Sequence, residues 1–389
     1  MKSFHFLVAP DSFKESLSAQ AATAAISNGL ARAFSGLEAQ LTITQFPLAD
    51  GGEGTMTLLA NHFAATKNDI ETIGPLGESR HSYYFSNPDS HIAIIESAEL
   101  CGLPLVPPSK RNPLNTTSYG LGVAINHALA AGAKKLFVAL GGSATNDCGI
   151  GMLTALGARC VNQYGQIISP LTAHDLASIS HCDLTPISAK LIGIELIVLC
   201  DVQNPLLGPQ GASYIFAPQK GATAAMLPLL EHNLHHFSQI LEATSQKSFA
   251  HKPQTGAAGG IAAALFALGG HLQSGSQFII EQLQLETLLP DVDYIFTGEG
   301  QIDEQTLQGK IISAIVTTAK KFSIPIIVLT GSTQANLQPL YDSGISAIFG
   351  ITQQPQSLTE ALTQSEEALT KAAENVGRLI RTLETQKNS

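Results

Sequence analysis

The stretch YIFTGEGQIDEQTLQGKIISAIVTTAKKFSIPIIVLT (294–330) decides the fold class. It reads as a strand over Tyr294–Thr297, a polar glycine-bearing turn, a helix over Leu307–Phe322 and a second strand over Pro325–Thr330. Strands joined through a helix pair in parallel, because a tight hairpin serves only antiparallel neighbours. Downstream the alternation continues with a helix over Ala335–Ser343, a strand over Ala347–Thr352 and a long closing helix over Leu358–Leu383. It recurs at the other end of the chain. Phe4–Ala9 reads as a strand, a helix capped by Ser16 or Ser18 runs to about Phe34, Leu41–Phe46 is a second strand and Glu53–Phe63 a second helix. These strands lack strong polar alternation, as expected where both faces are covered.

The centre has another pattern. Ser82–Phe85 and His91–Glu96 read as a strand pair, followed by helices over Ser118–Ala131, Gly149–Leu156 and Met226–Ala243 and by strands over Leu136–Leu140 and Ile194–Cys200. The two ends share one rhythm and the middle does not. The expectation is an α/β protein of two domains: a discontinuous Rossmann-like parallel-sheet domain, 1–75 plus 290–389, with a second α/β domain, 76–289, inserted in it and an active site in the cleft between them. The polar stretch Ser245–Thr255 is expected to be a mobile loop.

Composition narrows the function. Hydrophobic residues make up 44% of the 389 positions and charged ones 13%, which favours a large buried core over a disordered chain. A net charge of −10 argues against general nucleic-acid binding. Any anionic substrate must then be held by local cations, a metal or backbone N–H groups. The five cysteines form no C-x-x-C pair and read as reduced, buried thiols of a cytoplasmic protein. The N-terminal apolar run is broken by Pro10 and Asp11, too short for an export signal. No segment reads as a membrane span, and oligomeric state is left open.

Chemistry concentrates in polar, glycine-bearing turns after strands, where α/β proteins bind ligands. Asp11, Ser12 and Lys14 follow the first strand. Asp50-Gly51-Gly52-Glu53 follows the second, and its paired carboxylates suit a Mg²⁺ bridge. Gly141–Asp147 offers Ser143, Asn146 and Asp147 after KKLFVAL, and Asp201 with Asn204 follows ELIVLC. Gly298-Glu299-Gly300, with Asp303 and Lys310, suits nucleotide phosphates. A helix cap, an Asx turn or a solvated surface is the alternative for each turn taken alone. No Walker-type P-loop, complete dinucleotide fingerprint or G-x-S-x-G elbow occurs. Cys148 and Cys200 have no cationic partner near in sequence, and His232, His235 and His236 read as a solvated helix face.

APDSFKESLSA (9–19), PLADGGEGT (47–55), NPLNTTSYGLG (112–122), LGGSATNDCGIGMLTALGA (140–158), CDVQNPLLGPQGAS (200–213), FAPQKGA (216–222), GAAGGI (256–261) and GEGQIDEQTLQGK (298–310) together resemble the bacterial type I glycerate kinases, a family unrelated to P-loop kinases. The match spans almost the whole chain. Leu48, where Val is usual, and Cys148, where a small residue is common, are mild departures. The resemblance implies ATP-dependent phosphorylation of D-glycerate, with Mg²⁺ and with 2-phosphoglycerate as the favoured product. Residue roles come from the chemistry of the turns. Asp50, Glu53 and Glu299 are the expected metal ligands. Gly51, Gly52, Gly298, Gly300, Asp303 and Lys310 are expected at the nucleotide, and Asp11, Ser12, Ser143, Asn146 and Asn204 at the acid. Lys14 and Asp50 join Asp201 or Asp147, the expected base, as catalytic candidates. A non-enzymatic binder, a metal-dependent hydrolase and a kinase for another hydroxy acid remain alternatives.

Overall fold

The computed structural model describes residues 3–36, 41–49, 54–169, 172–302, 311–333 and 336–387. Its strands, in chain order, are β1 Phe4–Val8, β2 Leu41–Gln45, β3 Thr66–Ile73, β4 Ser79–Asn87, β5 Ile92–Glu96, β6 Lys135–Ala139, β7 Arg159–Val161, β8 His181–Asp183, β9 Glu195–Leu199, β10 His271–Gln273, β11 Tyr294–Ile302, β12 Ile326–Thr333 and β13 Ala347–Gly350. The chain divides into two compact units, Met1–Asp50 with Ser276–Ser389, and Gly51–Gly275.

The first unit holds a parallel sheet in the order β13-β12-β11-β1-β2. From β1 the chain steps outward to β2, and from β11 it steps the opposite way to β12 and β13. The order therefore reverses between β1 and β11, the position where open α/β sheets bind ligands. The sheet is anchored by aromatic packing: Phe6 lies edge-on to Phe34 at 5.4 Å and to Phe296 at 5.6 Å. The helix Ala19–Ala33 lies so close to the helix Ser365–Lys387 that a Cβ on Gly29 would come 2.2 Å from the Thr370 carbonyl oxygen.

The second unit holds a mixed sheet in the order β10-β9-β6-β5-β4-β3. β5, β6, β9 and β10 are parallel; β3 and β4 add an antiparallel edge. β3 was not foreseen, because TKNDIETI carries charges on an exposed edge strand. Its pairing with β4 also moves the boundary: residues expected to close the outer domain at 75 belong to the second unit's sheet. A small β7–β8 ribbon brings Cys160 opposite Cys182, and all five cysteines are buried free thiols.

Ser245–Thr255 is packed, contrary to expectation. Glu242 accepts from the Phe249 and Ala250 N–H groups, and Phe249 is buried. The buried Thr255 hydroxyl donates to the Phe249 and Lys252 carbonyls and accepts from Leu206 N–H. These bonds anchor the segment, while Gln246, Ser248, His251, Lys252 and Pro253 stay exposed.

Candidate active site

In the first unit the residues after β1 and along β11 come together at the switch point. Ala9 N–H donates to the Phe296 carbonyl and Asp11 N–H to the Gly298 carbonyl, continuing the ladder beyond β1. Asp11 is buried, and its carboxylate accepts from Ser12 N–H at 2.6 Å. A Cβ on Gly300 would lie 3.4 Å from the Lys14 backbone nitrogen. The half-buried Glu299 pairs in register with Thr330 of β12. Asp11, Ser12, Lys14, Gly298, Glu299 and Gly300 thus share one end of one sheet.

One local detail agrees with expectation and one differs. Of the two caps expected for the first helix, Ser18 is the one used. Phe13 and Leu17 exchange backbone hydrogen bonds, which puts the exposed Lys14 and Glu15 at the tip of a tight turn, and the helix begins only after the Ser18 cap. Gly298 and Gly300 belong to β11 itself, which runs on to Ile302 alongside β12 rather than ending in a loop at Thr297. Asp50, Gly51, Gly52, Glu53, Asp303 and Lys310 lie outside the described residues.

In the second unit the turn after β6 is clamped from four sides. Leu103 N–H donates to the Gly142 carbonyl and Ala144 N–H to the Cys101 carbonyl. The Thr116 hydroxyl donates to the Ala144 carbonyl. Lys220 Nζ donates to Ser143 Oγ at 3.0 Å and to the Thr145 carbonyl at 2.6 Å. From the fourth side comes the GAAGGI segment, where Ala258, Gly259 and Gly260 have φ values of 50°, 66° and 90°. This left-handed run lets Gly259 lie flat against Thr145 and accept from Cys148 N–H at 3.0 Å. Gly256 N–H donates to the Asn204 carbonyl, so one segment holds both the Gly141–Asp147 and the Asp201–Asn204 turns.

Asp147 is fully buried and faces inward. Its carboxylate accepts from Ser118 N–H and Oγ–H, at 2.9 and 2.7 Å, and from the N–H groups of Gly149 and Gly151. It therefore ties together the starts of the helices Tyr119–Ala130 and Ile150–Leu156. Burial pushes its carboxyl up, opposed by these donors, of which Ser118 counts most. The paired glycines of this region serve the same junction: a Cβ on Gly151 would lie 2.2 Å from Thr117 Oγ1, and one on Gly122 2.3 Å from the Met152 carbonyl.

Asp201 is half-buried, and one oxygen accepts from Ser274 Oγ–H at 2.6 Å, just beyond β10. Asn204 donates its amide to the Gln210 carbonyl. Ser143 and Asn146 are buried, and the Asn146 amide donates to Ser213 Oγ at 3.2 Å. Asn146 Oδ1 and Thr145 Oγ1 have no hydrogen-bond partner among the described residues. Burial pushes the Cys148 and Cys200 thiols up, Cys200 to about 12, so neither is a nucleophile at neutral pH.

Sequence reading missed Lys220 and Glu96. Lys220 lies in FAPQKGA, whose spacing carries no sign that its ammonium is buried. Glu96, at the end of β5, is buried and accepts from Met56 N–H, docking the start of the helix Thr55–His62. Among the described residues no group of three or more His, Cys, Asp or Glu side chains is arranged to hold a metal, and no helix is long and apolar enough to cross a membrane.

These strand-end clusters acquire a lineage from comparison with known proteins. The sequence profile of the glycerate kinase family matches residues 6–381. The chain belongs to the glycerate kinase family. A glycerate kinase of Haemophilus influenzae is 40% identical over 376 residues, 96% of this chain and 98% of the relative. The glycerate 2-kinase of Escherichia coli K12 is 38% identical, covering 96% of this chain and 97% of the relative. A solved structure of a Salmonella typhimurium LT2 protein, provisionally named glycerate kinase 2, superposes with a TM-score of 0.82 at 36% identity, covering 99% of this chain and all of that one. Membership of the glycerate kinase family makes the chain an enzyme with small-molecule substrates, ATP among them.

Proposed function

We propose that the enzyme transfers the γ-phosphoryl group of ATP to the 2-hydroxyl of D-glycerate. Full-length membership of the glycerate kinase family carries this reading. Phosphoryl transfer needs positioning and charge neutralisation more than covalent chemistry, and the two strand-end clusters divide those tasks.

Lys14 and the backbone around Gly298 and Gly300 serve the triphosphate, where a fixed positive charge counters the negative charge that migrates during transfer. Mg²⁺ commonly takes one or two carboxylates and completes its shell with phosphate oxygens and water, so a preformed cluster of three side chains is not required. One or two of Glu299, Asp50 and Glu53 would hold it, and the ion would neutralise phosphate charge there.

Ser143, Asn146 and Asn204 orient the acid. Asp201 is the better base. It is only half-buried and so within reach of a bound acid, whereas Asp147 is fully buried and serves two helix starts. The acceptor oxygen bonds to γ-phosphorus, the bond to the β–γ bridging oxygen breaks, ADP leaves and the hydroxyl proton passes to Asp201. Asp147 instead shapes the turn.

An acceptor panel tests the reading. ADP formation with D-glycerate should exceed that with L-glycerate, lactate, glycolate or no acceptor by at least about tenfold, on the scale of one lost polar contact. Equal rates across the panel would overturn the substrate assignment, and phosphate release without acceptor would favour a hydrolase.

A further inference from the structure

We propose that Lys220 is a positioning residue for this transfer: its ammonium bridges the turn after β6 from within and fixes Ser143 and Asn146 for the acid. The inference rests on the glycerate-phosphorylating reading above. Lys220 is 3% exposed. Its two acceptors, Ser143 Oγ and the Thr145 carbonyl, flank Ala144, so the ammonium spans the turn that the acid is to meet. An ammonium has three donors, and two are engaged. Asn146 Oδ1 and Thr145 Oγ1, unpartnered among the described residues, belong to the same turn.

Filling space does not require a charge here. A buried cation carries a desolvation cost that an apolar side chain of similar volume avoids. The titratable groups that face Lys220 are Asp147 and Cys101. Asp147 is engaged by Ser118, Gly149 and Gly151, and burial pushes the Cys101 thiol up to about 12, so Cys101 stays neutral. Burial pulls Lys220 down to about 8, opposed by the charge of Asp147. The ammonium is thus charged at neutral pH and loses its proton just above it. A neutral amine keeps two N–H donors, but without the charge they are weaker, so the hold on Ser143 and Thr145 loosens.

The test compares wild type, Lys220→Met and Ser143→Ala across pH 6.5–9.5, with folding followed by circular dichroism. Lys220→Met should lower kcat about 10²-fold, the cost of a misplaced reactive turn, while KM for ATP stays within about threefold because no part of the reading puts Lys220 at the nucleotide. Wild-type kcat should fall above about pH 8, and the residual activity of Lys220→Met should lack that limb. Ser143→Ala removes a hydroxyl acceptor that favours the charged amine, so its alkaline limb should move to lower pH. A folded Lys220→Met with kcat within twofold of wild type, or with the limb intact, overturns the role. If Lys220→Met does not fold, Ser143→Ala decides: a shifted limb supports the role and an unmoved one overturns it. Wild type that consumes no ATP with glycerate overturns the functional reading and this role with it, a result distinct from an active Lys220→Met.

Discussion

Gly259→Ala should damage the enzyme through its backbone. At φ 66° an alanine adopts the left-handed conformation, which costs about 1–2 kcal/mol for an L-residue. The added Cβ would also lie 2.0 Å from the Thr145 carbonyl oxygen and 2.7 Å from Asn146 Cα. Ordinary contact begins at 3.4 Å, so the turn must retreat by about 1.4 Å. Overpacking of this kind costs about 1–3 kcal/mol more, giving a loss of about 2–5 kcal/mol. Gly132→Ala isolates the first part, because Gly132 has φ 92° and a Cβ added there would meet nothing within 4 Å. It should cost about 1–2 kcal/mol and leave kcat unchanged. Urea unfolding gives the stabilities, and steady-state kinetics with saturating Mg-ATP and D-glycerate gives kcat. Gly259→Ala, still folded, should lose about 10²-fold in kcat, since the displaced turn carries Asn146. If both variants show equal stability and wild-type kcat, the turn is not held by the GAAGGI segment in the way the contacts imply.

Three other outcomes follow from the same geometry. Asp201→Asn should lower kcat by about 10²–10⁴-fold with ATP binding retained, measured by kinetics and calorimetric titration, because a positioned base is worth that much; full kcat would remove Asp201 from the mechanism. Lys14→Met should lower kcat/KM for ATP by about 10- to 100-fold, and an unchanged value would show that the turn tip does not serve the phosphates. Lys220 also makes stability pH-dependent: its folded value is depressed to about 8 from 10.5, so the native state releases its proton first. The cost of holding the charge is fully present below about pH 8 and fades by pH 10.5, and wild-type unfolding free energy should gain up to about 3 kcal/mol from this group across that window. Urea unfolding of Lys220→Met should lack this gain, and an identical slope in both proteins would contradict the assignment.

The fold was legible where periodicity was strong. Runs such as FHFLV and IIVLT, followed by helical spacing, marked the parallel strands and their turns. The edge strand Thr66–Ile73 was not legible, because its exposed positions carry charges that read as loop. Ser245–Thr255 misled for a related reason: a polar composition does not show that backbone groups such as Phe249 N–H and C=O are tied to Glu242 and Thr255. At the candidate site, residue type and strand-end location marked Asp11, Ser143, Asn146 and Asp201 as candidates. What sequence spacing does not encode is which way a carboxylate faces. Asp147 sits in the same turn as Ser143 yet serves two helix starts. Lys220 escaped notice because burial of a lysine is created by distant elements, here the turns near Cys101 and Thr145. Three successive left-handed residues at 258–260 were likewise hidden, since Gly-Gly announces permissiveness and not the contact that exploits it.

The central claim is most directly tested by identifying the product. Purified protein is incubated with Mg-ATP and D-glycerate, ADP is followed by a coupled assay, and the phosphorus NMR spectrum of the product is recorded. The account predicts ADP formation that depends on glycerate and a phosphomonoester whose phosphorus couples to the single C2 proton. A phosphorus signal coupled to a CH₂ pair would contradict the 2-hydroxyl assignment, and the absence of glycerate-dependent ADP would contradict the function itself.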